Sequence, residues 1–103
     1  MTYIQIQTTA GKKEEADKII AALLEKKLAA CIQTTNIKSS YTWKGEVCNE
    51  DEILLLIKAR KEYYDEIERT IKENHSYETP EIIATDITLG SKEYFKWIDE
   101  VTK

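Results

Sequence analysis

The sequence predicts an α+β chain in the order β-α-β-β-α-β-α, the ferredoxin-like split βαβ sandwich with a long β-hairpin and an added C-terminal helix. Three observations predict it. The first residues alternate with period two, two later stretches carry apolar residues at helical spacing, and a long β-branched and aromatic run is broken only once, at Lys44-Gly45.

Residues 2–8 place Ile4 and Ile6 on one side and Tyr3, Gln5 and Gln7 on the other, as a half-buried strand requires. From Gly11 to about Lys27, Ala16, Ile19, Ile20, Leu23 and Leu24 recur at helical spacing with charged residues mostly outside the stripe. Residues 28–43 and 46–59 read as the two arms of a hairpin, with Gly45 supplying the positive φ of its turn. That turn sets Cys31 opposite Lys58 and Cys48 opposite Tyr41, some ten strand positions or roughly 33 Å apart, so no disulfide joins the two cysteines. A second helix carries Tyr63, Tyr64, Ile67 and Ile71 inward and stops near His75. Pro80 biases Thr79 to an extended conformation, and 81–89 reads as the last strand. Gly90-Ser91 ends it, and Ser91 caps a helix bearing Tyr94, Trp97, Ile98 and Val101 on one side.

The 103 residues are expected to form one domain, 1–103, with no internal linker, repeat or low-complexity tract. Hydrophobic residues make up 42% and charged residues 33%, too apolar for a disordered chain. Fifteen lysines and arginines against 19 aspartates and glutamates give a charge of −4, with lysines and glutamates interleaved. No basic stripe is offered to nucleic acid. The opening MTYIQIQTTAGKKEEA has neither a basic leader nor an apolar core, and no run reaches ~18 apolar residues, so a membrane span is not expected. Two cysteines without a CxxC pair suit a reducing compartment, and the cytoplasm is the expected location.

Ile53 to Ile57 is an unbroken apolar run, so its side chains demand burial on both faces of the sheet. The two main helices cover one face. Leu54 and Leu56 are left either to the C-terminal helix, folding back with Tyr94 and Trp97, or to another subunit. Hairpin arms of about 14 residues, far beyond the ~5–6 typical of a strand, favour closed symmetric self-assembly.

LAAC at 28–31, YTWKGEV at 41–47, ILLLIKAR at 53–60, HSYETPEII at 75–83 and GSKEYFKWI at 90–98 together resemble the ordered signature blocks of the CutA family of divalent-ion tolerance proteins. The resemblance spans nearly the whole chain. It implies a homotrimer whose long hairpins pair across subunits, similar in architecture to the trimeric PII signalling proteins, and a link to divalent cations, copper above all. Two positions depart from the family pattern: Ser76 replaces a proline after His75, and Ala59 replaces a threonine after Lys58. The matching motifs nominate Tyr41, Trp43, Lys58, Tyr77, Glu78 and Glu81 as lining a cleft at the subunit boundary. For Tyr41 and Trp43, simple interface packing is the competing reading.

His75 is the sole histidine and has two readings: a helix-end residue binding the last carbonyls, or a metal ligand with Glu78 close by. One histidine and two distant cysteines cannot make a four-ligand site in one subunit. A bound ion, Cu²⁺ or another divalent cation, is therefore expected to be held weakly, with His75 as the residue whose loss costs most and Glu78 as an auxiliary. Cys31 reads as a small buried residue, while the acidic neighbours of Cys48 disfavour its thiolate. No nucleophile elbow, Walker loop or dinucleotide fingerprint is present, so no catalytic residue is assigned. The leading expectation is a non-enzymatic homotrimer of metal-ion response, its protein partners unknown. The alternatives are a PII-like small-molecule sensor and, last, an acylphosphatase-type enzyme, which would need a cationic phosphate loop that TTAGKKEEA does not supply.

Overall fold

A computed structural model describes residues 2–103. The elements are β1 (Tyr3–Ala10), α1 (Lys13–Glu25), β2 (Cys31–Trp43), β3 (Glu46–Arg60), α2 (Tyr64–Glu73, entered through a short 3₁₀ turn), β4 (Ile82–Ile87) and α3 (Lys92–Val101). They follow the expected order. The four strands form one antiparallel sheet, β2-β3-β1-β4, in which β1 pairs with β3 and β4.

The hairpin turns where the sequence places it. Lys44 and Gly45 both take positive φ, 50° and 82°, the paired left-handed conformation that suits a two-residue hairpin turn. The register therefore sets Cys31 against Lys58 and Tyr41 against Cys48, and both cysteines are free. Three boundaries are shorter than the sequence suggests. The β2 arm starts at Cys31 rather than 28, because Leu28 and Ala29 bury themselves in the turn that follows α1. The first helix begins at Lys13 and β4 spans only Ile82–Ile87.

Alternation along β1 and β3 sorts the side chains into two layers. Ile4, Ile6, Leu55, Ile57 and Ala59 face α1 and α2 and join Ile19, Leu23, Ile67 and Ile71 in the core, all of them 2% exposed or less. Ile53 packs against this core from the same row. Tyr3, Gln5, Gln7, Leu54, Leu56 and Lys58 point the other way.

The C-terminal helix covers only one end of that outer layer. Phe95 stacks on Tyr3 with ring centroids 4.2 Å apart, the Tyr3 hydroxyl donates to Asp99 at 2.9 Å, and Arg60 Nε donates to Thr102 at 3.0 Å. The inward stripe of α3 is thus Phe95, Ile98, Asp99 and Thr102. Tyr94 and Trp97, which the less favoured of the two sequence readings folded back over this face, are each 39% exposed. Ser91 caps the helix as expected, its hydroxyl accepting from the Tyr94 amide. Leu54 and Leu56 stay half-buried. Among the described residues no helix is long and apolar enough to cross a membrane.

Candidate functional site

The loop between α2 and β4 crosses the end of β1 and lies against the outer face of the hairpin. Between them is a cleft of about 730 Å³ lined by Thr9, Ser39, Ser40, Tyr41, Trp43, Cys48, Glu50, Glu52 and residues 77–81. Strand parity explains the hairpin side. Tyr41, Trp43, Cys48, Glu50 and Glu52 all fall on the outer face of the register, so they share one wall.

Tyr77 joins the loop to that wall. Its hydroxyl lies 2.9 Å from Glu52 and 3.4 Å from Glu50, and it donates to the nearer, almost fully buried carboxylate. Burial, together with the bond to Glu52 and the charge around it, pushes the Tyr77 phenol far above its ordinary range. The Tyr41 phenol is pushed up to about 12, chiefly by its hydrogen bond to Glu50, with burial adding to it. Both tyrosines therefore stay protonated donors at neutral pH. Glu81 accepts from Gln7 at 2.8 Å, tying the far side of the loop to β1.

His75 stands behind this wall. Its side chain is fully buried, Nε2 lies 2.6 Å from the Thr9 carbonyl, and Nδ1 accepts from the Tyr77 amide at 3.1 Å. Glu15 on α1 lies 3.1 Å from the same Nδ1 and accepts from the Ser76 amide at 3.0 Å. Burial works to raise the Glu15 pKa, but the Ser76 bonds and the charges of His75 and Lys12 outweigh it. The carboxyl ends below its usual range.

Of the residues nominated by the sequence, Tyr41, Trp43, Tyr77, Glu78 and Glu81 come together around the cleft. Lys58 does not. It lies six positions further along β3 than Glu52, about 20 Å away at the rise of a strand, and bonds to Gln33. His75 and Glu78 are not brought into a shared ligand set: the ring is enclosed with both nitrogens engaged, whereas Glu78 is exposed at the cleft. Glu50 and Glu52 were not among the nominees. The alternation of the hairpin could have found them, since both share parity with Cys48 opposite Tyr41.

The donor set bears on what the cleft could hold. Among the described residues its lining includes four carboxylates, three aromatic rings and a thiol, with no lysine or arginine. An anion such as a phosphate finds no cationic partner there. No three His, Cys, Asp or Glu side chains of the described residues converge closely enough to hold a metal ion. One subunit alone does not fit a high-affinity metal site.

Similarity to known proteins covers the whole architecture. The profile of the CutA1 divalent ion tolerance protein family matches residues 4–101. The divalent-cation tolerance protein CutA of Archaeoglobus fulgidus is 43% identical over 98 residues, which are 95% of this chain and 96% of that protein. A solved structure of the A. fulgidus protein, described as periplasmic, superposes with a TM-score of 0.95 at 42% identity, covering 98% of this chain and 99% of the other. A chloroplastic CutA of Arabidopsis thaliana is 35% identical over 101 residues, 97% of this chain but only 56% of that longer protein. With the family profile matching residues 4–101 and a 43% identical relative covered almost end to end, this chain belongs to the CutA1 family of divalent-ion tolerance proteins.

Proposed function

We propose that the protein acts as a non-enzymatic homotrimer of divalent-ion tolerance, copper tolerance in particular, in which an ion or small ligand is held weakly in the cleft beside the subunit boundary. The observation that carries this reading is the outer face of the sheet. Leu54 and Leu56 are left half-buried on it, next to a cleft whose charged lining is wholly acidic. A second subunit on this face would bury the leucines and add donors to the cleft. The carboxylates of Glu50, Glu52, Glu78 and Glu81 are the oxygen donors nearest a shared ion. Hard and borderline cations bind such oxygens weakly until a fuller set is assembled.

The PII-like sensor reading has less support, because the cleft offers no basic side chain to a nucleotide phosphate. Two free cysteines agree with the reducing cytoplasm we propose as its compartment.

Light scattering with and without Cu²⁺, followed by calorimetric titration, tests the proposal. The expected mass is three times the 12.0 kDa subunit, with weak Cu²⁺ binding that Glu78→Gln reduces. A mass of one subunit at micromolar concentration, or stabilisation by nucleotides and not by Cu²⁺, overturns it.

A further inference from the structure

The imidazole of His75 touches three separate elements. Nε2 faces the carbonyl of Thr9, at the end of β1, and a nitrogen facing a carbonyl at 2.6 Å must carry the proton. Nδ1 faces two groups, the Tyr77 amide in the loop and the Glu15 carboxylate on α1, each at 3.1 Å. In the neutral ring Nδ1 accepts from Tyr77, and in the charged ring it donates to Glu15. Neither state leaves a lone pair for an ion, and the side chain is closed to solvent. A ligand nitrogen needs the reverse: a bare lone pair facing an open position.

The same contacts fix where Tyr77 goes. With its amide held by His75 and the preceding amide held by Glu15, the loop directs the Tyr77 ring past Gly11 to Glu52 on β3. The passage is tight. A Cβ on Gly11 would lie 2.8 Å from the Tyr77 hydroxyl oxygen, inside any ordinary contact. Gly11 and His75 do not themselves line the cleft, yet both decide the position of one of its walls.

We propose that His75 is a positioning residue rather than an ion ligand: it locks the turn that seats Tyr77 on Glu52, and Gly11 leaves the space that seating requires. The inference rests on the cleft being the ligand site. It assigns to the histidine a task that neither sequence reading contained, since its partners are a strand end and a loop amide instead of the last carbonyls of its own helix.

The test combines nitrogen NMR of the imidazole with amide exchange. In the wild type the ring nitrogens should report a protonated Nε2, and titration with Zn²⁺, a diamagnetic probe, should leave both resonances in place while the cleft carboxylates shift. In His75→Ala the Ser76 and Tyr77 amides should exchange at least about tenfold faster, the scale of one lost hydrogen bond. His75→Asn should restore protection at Tyr77 but not the link to Thr9, because an asparagine carbonyl accepts from the amide two residues on. Gly11→Ala, which pushes the Tyr77 hydroxyl and its ring off their place at Glu52 while leaving the His75 contacts intact, should shift the Tyr77 ring resonances and weaken Zn²⁺ binding several-fold, leaving those of His75 unchanged. A Zn²⁺-induced shift of the His75 nitrogens overturns the proposal, and so does unaltered Tyr77 exchange in His75→Ala. The tautomer and exchange readouts need no bound ion, so a cleft that binds no Zn²⁺ at all would instead count against the proposed function.

Discussion

The two faces of the sheet are made by the same strands, one residue out of step, and they have been treated in opposite ways. Toward α1 and α2, β1 and β3 present Ile4, Ile6, Leu55 and Ile57, all 2% exposed or less, and the layer is closed within the chain. On the other side the same strands present Gln5, Gln7, Leu54, Leu56 and Lys58, and α3 reaches only the end marked by Tyr3 and Arg60. Even its contacts differ in kind. The inner face is held by aliphatic packing, whereas α3 buries a single aliphatic, Ile98, and adds to it one ring stack and hydrogen bonds through Asp99 and Thr102. A face so partially covered, with leucines in its centre, is suited to a second protein surface; a closed face is suited to holding the subunit together.

Breaking the outer face should have the largest effect. Leu56→Glu places a carboxylate where the proposed trimer would exclude water, and an unpaired charge so placed costs several kcal/mol. Light scattering should then give the 12.0 kDa subunit mass, with the far-ultraviolet circular dichroism of the folded chain retained. A variant that keeps the trimer mass would mean that this face is not the contact, and the contrast between the two faces would lose its meaning.

The inner face should respond differently. Leu55 is fully buried at the centre of the core, and Leu55→Ala leaves a cavity worth about 3 kcal/mol of lost stability. Denaturant unfolding at matched protein concentration measures it, and the assembly state should change only as far as the fold itself weakens. A cost below about 1 kcal/mol would show that the helices close this layer less tightly than the burial implies.

How much of this was legible depends on the range of the interactions. The hairpin was readable because its determinants are local: Lys44-Gly45 supplies both positive-φ residues, and parity then fixes every pair from Cys31–Lys58 to Trp43–Glu46. The Ser91 cap was readable for the same reason. The facing of α3 was not, because its inward side carries the half-buried Asp99 and, at the C-cap, Thr102, polar residues whose partners Tyr3 and Arg60 lie 96 and 42 positions away. A search for apolar spacing selects Tyr94 and Trp97 instead. In the cleft, the motif residues Tyr41, Trp43, Tyr77, Glu78 and Glu81 assembled together, but Lys58 was carried away by the length of β3. The positioning task proposed for His75 rests on its contact with the carbonyl of Thr9, 66 positions distant, which no local pattern announces.

The smallest effect concerns a polar atom on the closed face. Thr8 sits in the inner row opposite Leu55 and Ile82, is fully buried, and its hydroxyl has no hydrogen-bond partner among the described residues. Its neighbour Thr9, one step along and therefore on the other face, borders the cleft and lends its carbonyl to His75. A buried hydroxyl without a partner keeps its desolvation cost and gains nothing in return. Thr8→Val keeps the branched shape that fits the strand while removing that atom, so it should raise the stability of the subunit by about 1 kcal/mol. The readout is the denaturant midpoint at unchanged slope, since a changed slope would signal a different denatured or native state. The assembly mass should be unaffected, because the side chain points away from the outer face. A destabilised Thr8→Val would mean that the hydroxyl has a partner in the folded protein, and that the inner face is less purely apolar than its contrast with the outer face requires.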